Sequence, residues 1–219
     1  HPILRVYDFP VLYFPKFTHP DPTVERRSGF LQPQLNDSNI LGTSLLLPYF
    51  HTLSENKDMT FKPTIFDSEI YMLQSEYRQH NENSNFVADI GLTKGYQSKV
   101  SGVTTENRNN IGHLFAKFKS KLNLNNFITS DLDLSIQKVT KDTFLKIFET
   151  NLININENVK PANQNQLQSD INLRLEHEDY NLNTGLIAYE NLSGSNNDRF
   201  QYVLPYYNFS KQFYNNSLI

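Results

Sequence analysis

Between residues 127 and 137 every second side chain is of one kind. Ile128, Ser130, Leu132, Leu134 and Ile136 fall on one face, and Thr129, Asp131, Asp133, Ser135 and Gln137 on the other. A repeat of two residues is that of a β-strand, whose successive side chains point to opposite sides of a sheet. Just upstream, Leu114, Ala116, Phe118, Leu122 and Leu124 alternate with His113, Phe115, Lys117, Lys119 and Lys121. The pattern returns at Ile171, Leu173 and Leu175 against Asn172, Arg174 and Glu176, and again at Leu182, Thr184, Leu186 and Ala188. Earlier copies run through Phe86, Ala88, Ile90 and Leu92, and through Met59, Phe61 and Ile65. About ten strands are predicted between Arg27 and Phe209, many near the roughly 9 to 11 residues that cross a bilayer when tilted. Strands joined in order make an antiparallel meander, so the fold class is all-β.

The same spacing decides what the chain can do in a membrane. Its apolar runs are short, Leu45-Leu46-Leu47 for example stopping at Pro48, far below the roughly 20 residues a membrane helix needs. A barrel stays open as a reading, because barrel strands need only every second residue apolar. A mean hydropathy of −0.54 therefore suits a barrel wall as well as a soluble domain. The net charge of −3 leaves no basic footprint for nucleic acid. Without cysteine, thiol catalysis, thiolate metal sites and disulfides within these residues are excluded. There is no Gly-rich phosphate loop, HExxH or GxSxG motif. The expectation is a protein without catalytic residues, metal or cofactor. The chain starts at His1, which reads as an internal fragment or a processed form.

The connections sort into two kinds. Short joins at 81–84, 123–126 and 178–181 alternate with longer ones at 101–110, 138–168 and 192–198. Outer-membrane barrels have short turns on one side and longer loops on the other. Within the longest connection, residues 140–150 (TKDTFLKIFET) have apolar spacing that predicts a helical turn or two. Lys117, Lys119 and Lys121 form a basic row on a wet face, read as a solvated wall or, more sharply, as a row that attracts phosphorylated sugars. Asp131 and Asp133 share the wet face of the next strand and are read as lining a polar interior rather than as an acid/base pair. His177-Glu178-Asp179 reads as a polar turn, and His19 with Asp21 as part of a proline-stiffened link. Tyr and Phe gather near strand ends, at Tyr49-Phe50, Tyr71, Tyr77, Tyr96, Tyr189 and Tyr206-Tyr207, which suits an interfacial aromatic girdle, although core packing would use them as well.

One stretch is specific enough to resemble a known family. Residues 9–33 read FPVLYFPKFTHPDPTVERRSGFLQP and are followed by LLLPYF at 45–50. Further on come Asn56-Lys57-Asp58-Met59-Thr60 with Pro63, then Glu76-Tyr77-Arg78, and Asp198-Arg199-Phe200-Gln201-Tyr202 with Leu204-Pro205-Tyr206. In order and spacing these resemble the lipopolysaccharide-assembly outer-membrane family LptD, also called OstA. The resemblance implies that residues 1–22 are the end of a periplasmic β-jellyroll and its link. Residues 23–219 would be the first strands of a large, here incomplete, transmembrane barrel in the outer membrane.

It further implies transport of lipopolysaccharide through jellyroll, lumen and a lateral gate into the outer leaflet, with outer-membrane lipid, the plug lipoprotein LptE and the bridge protein LptA as partners. Pro33 and Pro48 are the implied gate residues, since proline cannot donate to a strand ladder. Val11, Tyr13, Phe14 and Phe17 are candidates for the lipid path, and Lys117, Lys119, Lys121, Asp131 and Asp133 for the lumen wall. The competing readings are a passive porin-type barrel and a soluble carbohydrate-binding β-sandwich. A sandwich would bury Leu132, Leu134, Leu173 and Leu175 under a second layer, whereas a barrel turns them to lipid.

Overall fold

The computed structural model describes residues 3–6, 9–13, 26–67, 70–96, 106–194 and 198–211. Two short strands, β1 (Ile3–Val6) and β2 (Phe9–Tyr13), pair with each other as a separate antiparallel sheet. The other strands form one large sheet: β3 (Gly29–Phe30), β4 (Gln34–Ser38), β5 (Gly42–Leu46), β6 (Tyr49–Ser54), β7 (Lys57–Phe66), β8 (Tyr71–His80), β9 (Ser84–Tyr96), β10 (Glu106–Lys121), β11 (Thr129–Val139), β12 (Gln166–Glu176), β13 (Tyr180–Asn191) and β14 (Phe200–Lys211). From β7 to β14 each strand pairs antiparallel with its sequence neighbour. β4 and β3 lie side by side with β5 and β6, which together occupy the next position before β7. The result is an antiparallel meander that is open, with β14 at one edge and β4 at the other.

Register converts the alternation into two chemically distinct faces. Leu132 lies opposite Leu173, Leu134 opposite Ile171 and Ser130 opposite Leu175, so the apolar stripes of β11 and β12 coincide. Ile90 lies opposite Leu114 and Ala88 opposite Ala116 on the same side. Leu132, Leu134, Leu173 and Leu175 stay outside the buried cluster, and Ile65, Leu73, Ile90, Leu92, Ile136 and Ile171 are exposed. Among the described residues no second sheet covers this face, which removes the sandwich reading.

The connections also separate by end. The turns after β6, β8, β10 and β12 share one end, where Asn56 hydrogen-bonds Asn81 and the N–H of Lys121 donates to the carbonyl of Asn83. The connections after β7, β9, β11 and β13 share the other, and the longest of them folds back over the sheet. There the predicted helical turns appear as α1 (Phe144–Ile147) and α2 (Glu149–Leu152). They bury Phe144, Leu145, Ile147, Phe148 and Leu152 against Phe66, Met72, Tyr96, Ile111, Phe115 and Val139 of the strands. Phe148 is the hub: its ring lies 5.0 Å from Phe144 and 6.2 Å from both Phe66 and Tyr96.

The core thus sits between the polar side of the sheet, near its long-loop end, and one loop. Phe148→Ala should lower the unfolding free energy of the full-length protein by about 3–5 kcal/mol, because a fully buried ring leaves a cavity. The exposed Ile153→Ala should stay within about 0.5 kcal/mol of the parent. Urea unfolding in lipid or detergent, followed by tyrosine fluorescence, checks the pair.

Candidate functional site

Pro33 and Pro48 sit where two neighbouring strands break. The first strand position is interrupted at residues 31–33, between β3 and β4, and the second at Leu47-Pro48, between β5 and β6. The breaks lie side by side: the N–H of Leu31 donates to the carbonyl of Pro48 at 2.8 Å. The register either side differs by one residue, from Phe30 opposite Tyr49 to Gln34 opposite Leu46, which is a bulge in the first strand. On the other side of the second strand, the N–H of Leu47 donates to the carbonyl of Pro63 in β7 at 3.1 Å. In an antiparallel hydrogen-bonded pair two residues exchange both bonds. Neither Pro48 nor Pro63 has an N–H to return, so each pair is half made. Sequence reasoning placed Pro63 only within a motif; its signal was the equal spacing of residues 33, 48 and 63, about one hairpin apart.

Next to this seam the polar side of the sheet holds a buried ionic network. Register brings Asp58 opposite Arg78, Lys62 opposite Gln74 and Glu76 opposite Asp89. Lys62 Nζ donates to Glu76 Oε2 at 2.7 Å and to the carbonyl of Asn154 at 2.6 Å, and it lies 3.7 Å from Asp89. Asp89 also accepts two bonds from Gln74, at 2.9 and 3.1 Å, and meets His113 Nε2 at 2.6 Å. The His113 ring stacks on Phe115 with centroids 4.5 Å apart, and Phe144 lies 5.1 Å away. Asp58 takes Arg26 at 2.6 Å and Arg78 at 2.7 Å.

The network also fastens the long loop. Asn151 donates to Thr64 at 3.0 Å, and Asn154 reaches Gln34, the first residue of β4, at 3.1 Å. A second fastening lies at the long-loop end. Arg199 pairs with Asp142 at 2.7 Å and with Glu190 at 2.6 Å, and these hydrogen bonds, that to Asp142 first, raise its pKa.

The residues picked out for a polar wall share one side of the sheet. Lys117 lies opposite Ser135, Lys119 opposite Asp133 and Lys121 opposite Asp131. Asp131 in turn lies opposite Arg174, and Asp133 opposite Asn172. Lys119 and Lys121 are exposed, and Lys117, Asp131 and Asp133 partly so. Of the lipid-path candidates, Tyr13 lies opposite Ile3 in the β1–β2 pair, and Val11 is the extra residue at that pair's irregularity. Phe14 and Phe17 lie outside the described residues.

At the short-turn end His177 stacks on Tyr180 at 4.6 Å, with Phe127 and Phe209 beside Tyr180 at 6.2 and 5.8 Å, and Tyr77 meets Phe86 at 5.9 Å. The ionic network was not read from the sequence. Its only signal was the alternation of Asp58, Thr60, Lys62 and Thr64 on one face of β7.

Removing one member of a buried ion pair leaves a charge without compensation, which costs about 3–5 kcal/mol. Lys62→Met should therefore destabilise the full-length protein by about that amount, and Lys62→Met with Glu76→Leu by less than the single change. Denaturant midpoints for the two variants decide the order.

No family model matches the chain. It is 30% identical over 168 residues to the LPS-assembly protein LptD of Legionella pneumophila (strain Lens), a match covering 70% of this chain and 19% of that protein. It is 40% identical over 81 residues to the LptD of Ectopseudomonas mendocina (strain ymp), covering 37% of this chain and 8% of that protein. It is 35% identical over 86 residues to the LptD of Pseudomonas aeruginosa (strain UCBPP-PA14), covering 39% and 9%. The chain spans less than a fifth of the length of these curated relatives. With its nearly all-antiparallel sheet and these matches, the chain belongs to the LPS-assembly protein LptD family.

Proposed function

We propose that this segment is the opening side of an outer-membrane wall that delivers lipopolysaccharide to the outer leaflet. In this reading residues 1–22 end a periplasmic jellyroll, and residues 23–219 are the first strands of a barrel completed elsewhere in the protein. The apolar face meets lipid, and the polar face lines the path of the sugars.

The observation that carries the reading is the half-made pairing at Pro48 and Pro63 beside the break at Pro33. Each amide hydrogen bond contributes about 0.5–1.5 kcal/mol net, so two missing bonds weaken this side of the wall by about 1–3 kcal/mol. A seam weakened to that degree opens at modest expense, and an amphipathic lipid can slide its acyl chains sideways while its sugars stay in water. Lys117, Lys119 and Lys121 would draw the phosphorylated end along the polar face. Val11, Tyr13, Phe14 and Phe17 remain the candidates for contributing to the path of the acyl chains.

The transport involves no covalent step, no catalytic residue and no cofactor. Directionality comes from lipid pushed in behind by a bridge protein of the LptA type, and a plug lipoprotein of the LptE type fills the finished barrel. No helix among the described residues is long and apolar enough to cross a membrane; in this reading the crossing is made by strands. A passive pore has no use for a weakened seam. Pro33→Ala and Pro48→Ala in the full-length protein restore amide donors and should reduce the appearance of newly made lipopolysaccharide at the cell surface, read by pulse labelling and surface modification. Unchanged delivery in both variants overturns the gate assignment.

A further inference from the structure

The apolar face of the sheet is not uniform. At the long-loop end of β7 to β10 it dips into a cavity of about 540 Å³ whose lining includes Pro63, Ile65, Tyr71, Leu73, Leu92 and Lys94. Register explains the grouping, for Pro63 lies opposite Leu73, Ile65 opposite Tyr71, and Leu73 opposite Leu92. A position without a side chain adjoins the dip. Gly112 of β10 stands opposite Leu92, and a Cβ there would meet the carbonyl oxygen of Gly91 at 2.3 Å and a Leu92 methyl at 2.9 Å. Leu92 therefore leans over Gly112, and the compact ring of Pro63 bounds the other side.

The four large apolar side chains are exposed by 43% at Ile65, 68% at Tyr71, 51% at Leu73 and 58% at Leu92. Tyr71 stands at the strand end and Lys94 near one, at the level where a tyrosine hydroxyl and an ammonium group meet lipid headgroups. We propose that this groove is a binding site for a phosphorylated, acylated lipid of the leaflet on the long-loop side: an acyl chain lies on Ile65, Leu73 and Leu92, and Lys94 holds the phosphate.

Charge complementarity selects that occupant. Among the described residues the lining contains a lysine and no carboxylate. On the same face of β11, Ile136 and Lys138 repeat the spacing of Leu92 and Lys94, but there Lys138 is held by Glu190 at 2.8 Å. The apolar face thus offers two similar lysines, one neutralised and one beside a cavity. The groove is also continuous with the weakened seam, because Pro63 supplies both part of its lining and the carbonyl that accepts from Leu47. A lipid leaving the seam has this slot as a neighbouring resting place. The assignment rests on the reading of the sheet as a membrane wall.

The test uses the full-length protein with a photoreactive benzophenone side chain at Leu73 or, separately, at Ile136. Each is reconstituted in phosphatidylcholine vesicles containing a bis-phosphorylated, acylated glucosamine disaccharide, or its dephosphorylated form, and adducts are identified by mass. At Leu73 the phosphorylated lipid should exceed its share of the vesicle about fivefold, the gain expected from one lysine at a lipid phosphate. That enrichment should disappear with Lys94→Gln, persist with Lys94→Arg and be absent for the dephosphorylated form, while adducts at Ile136 follow vesicle composition. Equal composition at Leu73 and Ile136 overturns the groove. Absence of lipid adducts at both positions overturns the membrane wall and the groove together. The seam is scored separately by the proline variants, so a failed groove beside intact proline dependence leaves the transport reading standing.

Discussion

Edge-to-edge backbone pairing holds this structure together, because a one-layer sheet has no second sheet to pack on. Every strand from β7 to β13 has a paired strand on both sides, and β10 pairs along most of its length with both neighbours. Where that pairing is complete the wall is continuous. Where proline removes the donor, no second sheet among the described residues lies on the apolar face to make up the loss. The same residue type would be a minor irregularity in a sandwich, whose opposing sheet holds the strands in place. In a single layer it leaves a line of incomplete pairing.

The polar face answers the opposite problem. Charges taken out of water must be compensated, and Lys62, Glu76 and Asp89 are drawn together beside the carbonyl of Asn154, with His113 hydrogen-bonded to Asp89. One sheet therefore uses two kinds of cohesion. Hydrogen bonds run in the plane of the wall, and ion pairs fasten the loop that lies across it. The loop also touches β4 just beyond the first break, through Asn154 and Gln34. The weak line and the fastened loop are thus neighbours in space, although 120 residues separate the two side chains in the chain.

Much of the fold was legible because its rule is local. Period two at Leu132, Leu134, Leu173 and Leu175 yields both the strands and their apolar face, and the short join at 123–126 and the helical spacing of 140–150 need only near neighbours. Pro33 and Pro48 are singled out by resemblance, and the strand breaks at which they lie accord with proline's missing N–H, which is a local property. What was hidden depends on register and on a distant loop. Met72, Ile111 and Phe115 lie on the nominally wet side and are buried there by Phe144 and Phe148, a contact no alternation announces. The partnership of Lys62 with Glu76 and Asp89 likewise requires three strands to be laid side by side before it exists.

The long loop has one more consequence, for assembly. Hairpins of the meander close over short separations, so each can form as soon as its two strands are present. The loop's anchors lie much further back, 87 residues from Asn151 to Thr64 and 92 from Asn154 to Lys62. Docking of α1 and α2 thus closes far longer separations than any hairpin and joins the first strands to the middle of the chain. The lysine and carboxylates of the network are buried only where that loop lies on the strands, so their burial and the loop's docking are one event.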